Sequence, residues 1–212
     1  MYLPKHFEET EPAALRALLS AHPLATWVVV HDGQLLVNHI PFLLDTGRGA
    51  QGTLIGHVAR ANPVWRSLGA PSVLVFHGPQ AYVSPNWYPS KREHGKAVPT
   101  WNYDVVHAHG TPRAVDDAAQ VRAIVTRLTV THEAGFAQPW QVADAPADYL
   151  DSMLGAIVGI EFPVQRWVGK CKASQNRSAA DRQGVAEALL SSVQPEPERV
   201  AMAALVRGRP DA

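Results

Sequence analysis

A mainly β, antiparallel fold with helices added at its edges is what this 212-residue chain predicts, on three observations. Apolar, β-branched runs recur at strand length, and the first two are separated by Asp32-Gly33, a strong two-residue hairpin signal. The helical stretches are inserted around groups of strands, which argues for hairpin connections and against a doubly wound parallel sheet. No Walker loop and no Gly-x-Ser-x-Gly elbow occurs, and no classical dinucleotide or nucleoside triphosphate site is expected.

Each element has a local reason. Thr10, Glu11 and Pro12 start a helix whose apolar face is Ala14, Leu15, Leu18 and Leu19, and which stops at His22 before Pro23. Residues 24–30 form the first strand and 34–44 the returning one. Residues 46–51 turn, and 52–58 make a third strand. A short buried strand at 72–76 leads into a loop broken by Pro85, Pro89 and Pro99, and residues 98–115 leave it as one long strand. Asp116 or Asp117 caps a helix running to about Glu133 with Val121, Ile124, Val125 and Leu128 on its apolar face. Asp144 or Ala145, before Pro146, starts a short helix through Leu154. Residues 155–168 return to strand character but alternate poorly, which predicts an edge strand or a bulge. From Ser178 the chain is Ala-rich and helical to about Val193, Pro195 and Pro197 interrupt it, and a last helix covers 198–206.

Composition narrows the function. Nineteen basic and nineteen acidic residues and a pI near 7.2 leave no global footprint for nucleic acid. The single cysteine, Cys171, cannot form an internal disulfide, and no Cys/His spacing resembles a zinc site. The ten histidines are dispersed, so no metal is expected. The start MYLPKHFEETEP has no apolar signal region, and no apolar run approaches the roughly 20 residues that cross a bilayer. A cytoplasmic protein with no membrane partner is the expectation.

Residues 81–110 concentrate Tyr82, Trp87, Tyr88, Trp101 and Tyr103 among Lys91, Arg92, Lys96, His94, His107 and His109. Aromatic faces stack and cations hold phosphate, so the mixture suits a flat, anionic, aromatic ligand. The plainer alternative is that the aromatics belong to the core or to a dimer interface. Residues 56–63, GHVARANP, put His57, Arg60 and Asn62 where a strand gives way to a short helix, a place with open backbone N–H groups for a phosphate. An ordinary strand-to-helix turn with a solvated Arg60 is the other reading. A second polar-cationic patch, Lys170, Lys172, Gln175, Asn176 and Arg177, closes the strand region.

The blocks MYLPKHF, NHIPF at 38–42, GHVARANP at 56–63, YVSPNWY at 82–88, VPTWNY at 98–103 and KASQNR at 172–177, taken in order, resemble the PaiB family of FMN-binding split-barrel proteins. The resemblance covers residues 1–177. It implies a split β-barrel of the FMN-binding type over 1–177, with 178–212 a C-terminal helical appendage packed on it. It also implies a homodimer with flavin sites at its interface and a role as a negative transcriptional regulator. Carried over by position, it sets the FMN phosphate against His57, Arg60 and Asn62 and the ring along Asn38, His39, Ile40 and Pro41. Thr100, Trp101, Asn102, Lys172, Gln175 and Asn176 would then close the pocket.

Two further readings stand beside the regulator: an FMN-dependent oxidoreductase using a nicotinamide cofactor, and a haem-binding or haem-degrading split barrel. Direct DNA binding is weakly supported, because the chain shows no helix-turn-helix and its only basic patch is Lys91, Arg92 and Lys96 with Arg113. No residue is an obvious catalytic acid or base.

Overall fold

The protein was analysed as a computed structural model, which describes residues 1–191 and 196–208. Nine strands and six α-helices are present among them: β1 Glu8–Glu9, α1 Pro12–Ala21, β2 Leu24–His31, β3 Gln34–Pro41, β4 Leu43–Asp45, β5 Thr53–Ala59, β6 Ser72–Val83, α2 Ser90–His94, β7 Thr100–Gly110, β8 Arg113–Val115, α3 Ala118–Glu133, α4 Ala147–Gly155, β9 Ile157–Lys172, α5 Ala179–Leu190 and α6 Pro197–Arg207. The hydrogen-bonded order is β3-β2-β6-β7-β9-β5-β4, with β1 and β8 also on β9. The registered pairs of β1, β2, β3, β4, β5 and β8 are all antiparallel. The fold class is therefore the expected one. No helix among the described residues is long and apolar enough to cross a membrane.

The chain divides into two compact units. One holds residues 19–76 and 107–167. Its β2–β3 hairpin turns through Asp32 and Gly33, both at positive φ (49° and 76°), the turn whose twist matches that of paired strands. Its core sets α3 and α4 on β5 through Ile55, Val121, Ile124, Leu128, Leu150 and Leu154. Burying each such side chain contributes on the order of 1.5–3 kcal/mol. The α3 cap is Asp117, whose carboxylate accepts from the Gln120 N–H at 2.9 Å.

The other unit holds residues 1–18, 77–106 and 168–212. In it α5 and α6 share an apolar core with Ala81 and Val83 of β6, Tyr88 and Cys171, centred on Val185, Leu189 and Met202. Asp181 of α5 is 4% exposed and accepts from the Ser90 N–H (3.1 Å) and Ser90 hydroxyl (2.8 Å), tying α5 to the start of α2.

Several boundaries differ from expectation. The strand expected over 34–44 ends at Pro41: the Phe42 N–H donates to the Pro23 carbonyl at 3.0 Å, and β4 pairs with β5 instead. β6 continues to Val83, because its later residues remain half of a buried alternation. The strand expected over 98–115 is split between β7 and β8 at Thr111-Pro112, where proline lacks the N–H a ladder needs. β9 is no edge strand, since it pairs with β1, β5 and β8. Its poor alternation reflects burial on both faces, and a Cβ at Gly159 would meet Ile124 Cδ1 at 2.9 Å. The last expected residues of the Ala-rich helix, 192 and 193, and Pro195 lie outside the described residues.

The expectation of no dinucleotide site has to face the spacing Gly-x-Gly-x-x-Gly at residues 47–52. Here those residues join β4 to the antiparallel β5 and open no helix, so no helix N-terminus stands behind them for a pyrophosphate.

Candidate functional site

In the first unit, β5 ends at Ala59 and the chain turns into a 3-10 segment, Pro63–Ser67, capped by Asn62. The Asn62 Oδ1 accepts from the Val64 N–H at 3.0 Å, while its Nδ2 donates to Asn38 Oδ1 on β3 at 2.7 Å. Asn38 lies directly opposite Trp27 in the β2–β3 register, so both side chains share one face of the hairpin. On that face Trp27 Nε1 and Asn38 Nδ2 are buried with no hydrogen-bond partner among the described residues. Ile40 is buried and Pro41 half-buried, whereas His39 is exposed and its Nδ1 sits 3.2 Å from Thr26 Oγ1.

His57 and Arg60 have other surroundings. His57 is opposite Gly159 in the β5–β9 register, and Gly159 faces Ile124 of α3. Burial pushes its imidazole below the ordinary value, which keeps it neutral, and its Nδ1 has no hydrogen-bond partner among the described residues. Arg60 donates through Nε to the Gly155 carbonyl (2.8 Å), through Nη2 to the Ile157 carbonyl (3.0 Å), and through both terminal nitrogens to Asp116 (3.2 and 2.5 Å). Four of its five N–H groups are thus used by the protein itself. The bond to Asp116 raises the Arg60 pKa and lowers that of Asp116. Of the three residues expected around one phosphate, only Asn62 meets another expected site residue, Asn38.

In the second unit, Lys172 near the end of β9 reaches β7. Its Nζ donates to Thr100 Oγ1 at 2.5 Å and to the Trp101 carbonyl, and lies 6.0 Å from the Phe7 ring centroid. Burial, then the charges of Lys170 and Arg177, lower the Lys172 pKa. Asn102, 1% exposed, donates to Ser174 Oγ at 2.9 Å. Gln175 folds back on its own strand, accepting from the Ala173 N–H and donating to the Cys171 carbonyl. Asn176 is exposed. Thr100, Trp101 and Lys172 are therefore brought together, and Asn102 is held beside them through Ser174.

Two groups beside these residues were not among the expected cofactor contacts, although Lys170 belonged to the second polar-cationic patch. One is Asp116, which occupies Arg60. The other is Lys170, 6% exposed, whose Nζ donates to the Tyr2 carbonyl at 3.1 Å and lies over the rings of Tyr103 (5.2 Å) and Tyr2 (5.7 Å). The spacing Lys170-x-Lys172 on a strand, which puts both on one face, was the available signal. No carboxylate pairs with Lys170 or Lys172 among the described residues, and no group of His, Cys, Asp and Glu there could hold a metal ion.

A family model described as "Putative FMN-binding domain" matches residues 1–166. The chain is 31% identical over 205 residues to the protease synthase and sporulation protein PAI 2 of Bacillus subtilis, covering 95% of each. It is also 31% identical over 222 residues to an uncharacterized protein of Emericella nidulans, covering 87% of this chain and 88% of that one. The solved FAD and heme binding protein from Mycobacterium smegmatis has the same fold, with a TM-score of 0.53 and 22% identity over 78% of this chain and 73% of that one. On the family match and the Bacillus relative, the chain belongs to the PaiB family of FMN-binding split-barrel proteins, and FMN is its cofactor.

Proposed function

We propose that the protein is a homodimeric FMN-dependent redox protein. The observation that carries this reading is the half-buried Lys172 cation, seated on Thr100 and the Trp101 carbonyl beside Lys170 and paired with no carboxylate among the described residues. Such a cation fits an anionic cofactor, because a charge already buried gains most from a ligand of opposite sign. The orphaned donors Trp27 Nε1 and Asn38 Nδ2 fit the carbonyl edge of a flavin ring in the same way. When bound, FMN supplies electron or hydride transfer.

The chain's own residues orient and hold. Lys172 provides positive charge, Thr100 and Trp101 fix it, and Asn102 locks the β7 segment through Ser174. Gln175 braces the end of β9, with Asn176 exposed beside it. Asn38, His39, Ile40, Pro41, His57 and Asn62 are proposed as a second set of flavin contacts, to be tested independently. Arg60 is assigned to the fold, since a phosphate would have to displace Asp116 from it.

The outward face of the β2–β3 hairpin supports the dimer. Val30, Leu35 and Val37 are 50, 72 and 51% exposed there, with Val28 opposite Val37, a contiguous apolar surface of the kind that marks an interface. Replacing Leu35 and Val37 together by Glu is expected to give a monomer in sedimentation, and a dimer that survives would remove this face from the interface.

The name of the Bacillus relative favours a second reading, a regulator of gene expression. Direct DNA contact has little support: α2 has only five residues, Lys91 is held by Asn86 at 2.5 Å, and Arg113 is paired with Glu161 at 2.6 Å. The deciding experiment is the visible spectrum as purified and after adding FMN, then NADH or NADPH without oxygen. Flavin bands that bleach support the redox reading. Flavin bands that persist, with specific operator binding, would put the regulator in its place, and a Soret band would replace both with haem.

A further inference from the structure

A buried lysine beneath exposed aromatic rings is left over by the flavin reading. Lys170 is 6% exposed, yet its ammonium has one oxygen partner among the described residues, the Tyr2 carbonyl, so two of its three N–H donors are uncommitted. The rings of Tyr103 and Tyr2 stand over it at 5.2 and 5.7 Å, where each presents its electron-rich face to the charge. Glu8 lies directly opposite Lys170 in the β1–β9 register, but the two make no ion pair.

The surrounding surface is aromatic and open. Strand alternation sets Trp101 on the same face of β7 as Tyr103. Trp101 is 54% exposed and meets Tyr82 of β6, 45% exposed, edge to face at 6.1 Å. Two rings thus stand over the cation, and the Tyr82–Trp101 pair continues the aromatic surface along the Tyr103 face of β7. Tyr-Trp surfaces of this kind stack flat ligands, and the uncommitted donors select a negative charge at the ligand's edge.

We propose that this face of the second unit, built from Lys170, Tyr103, Tyr2, Trp101 and Tyr82, binds a planar aromatic carboxylate or phenolate as a second ligand beside the cofactor. The proposal deepens the flavin reading by naming the class of molecule that FMN would act on. Lys170 anchors the anionic group, Tyr103 and Tyr2 form the wall around it, and the Tyr82–Trp101 pair carries the ring.

The test uses the FMN-loaded full chain and 2-naphthoate as probe, followed by titration calorimetry. Two controls separate charge from shape: neutral 2-naphthalenemethanol and the non-aromatic anion cyclohexanecarboxylate. The expected result is saturable 2-naphthoate binding, with each control at least tenfold weaker. Lys170→Met should weaken the probe at least tenfold and Tyr103→Leu at least threefold, both with FMN retained. Should Lys170→Met fail to fold by circular dichroism, Tyr103→Leu and Trp101→Leu carry the test at less buried positions. Equal binding of either control, or binding that these variants leave unchanged, would overturn the proposal. So would probe binding that occurs only after FMN is lost, since the cation would then belong to the cofactor. A protein that never takes FMN but binds the probe through Lys170 would sink the flavin reading and keep this one.

Discussion

Arg60 and the pair Lys170–Lys172 are cations at the ends of strands, and the protein treats them in opposite ways. Arg60 is closed into a circuit with Asp116 and two main-chain carbonyls. The lysines are more deeply buried and, among the described residues, have carbonyl and hydroxyl oxygens and aromatic faces for company. A guanidinium so occupied ties β5 to the segment before β9, whereas an ammonium with open donors has capacity for a ligand. Charge alone therefore does not mark a phosphate site; the state of its counter-charge does.

The sharpest way to break this comparison is Lys172→Met. It should weaken FMN at least tenfold, on the order of 1.5–3 kcal/mol for a lost charge-assisted contact. Flavin fluorescence titration measures it, and an affinity within threefold of the parent would mean that Lys172 is as structural as Arg60. Arg60→Ala is the converse. Its expected effect is a lower Tm with FMN affinity held within threefold, and tenfold loss of FMN at unchanged Tm would reverse the assignment of the two centres.

A smaller effect follows from Asn62→Ala, which removes both the cap on Val64 and the bond to Asn38. About 1 kcal/mol of stability should go, read by urea unfolding. The slightest effect is on pH. The folded pKa of Lys172 lies below 10.5, so the native state sheds its proton before the unfolded chain does. Between the folded value and 10.5 the unfolded state binds more protons, and stability rises with pH there. Anion binding should fall over the same window. Arg60 offers no such window, because its pKa is raised. A high-pH profile of FMN release that Lys172→Met leaves unchanged would remove Lys172 from the site.

Much of the fold was legible because its signals are local. Asp32-Gly33 turned as expected, Pro12 opened α1, and Asp117 capped α3, each through groups a few residues away. β9 misled because a strand buried on both faces loses the alternation that identifies strands, and Thr111-Pro112 fell within the residues read as one long strand. In the candidate site, the meeting of Thr100, Trp101 and Lys172 agreed with the grouping drawn from motifs, while Arg60 met partners that no motif announced.

The sequence by itself determined the strand and helix periods, the turns, the caps and the family, since all of these reside in residues near one another or in ordered blocks. Only the tertiary structure decided which cations are neutralised. Asp116 is 56 positions from Arg60, Gly155 is 95, and Tyr2 is 168 from Lys170. Electrostatic pairing depends on distance in space, and the chain must fold before such distances exist.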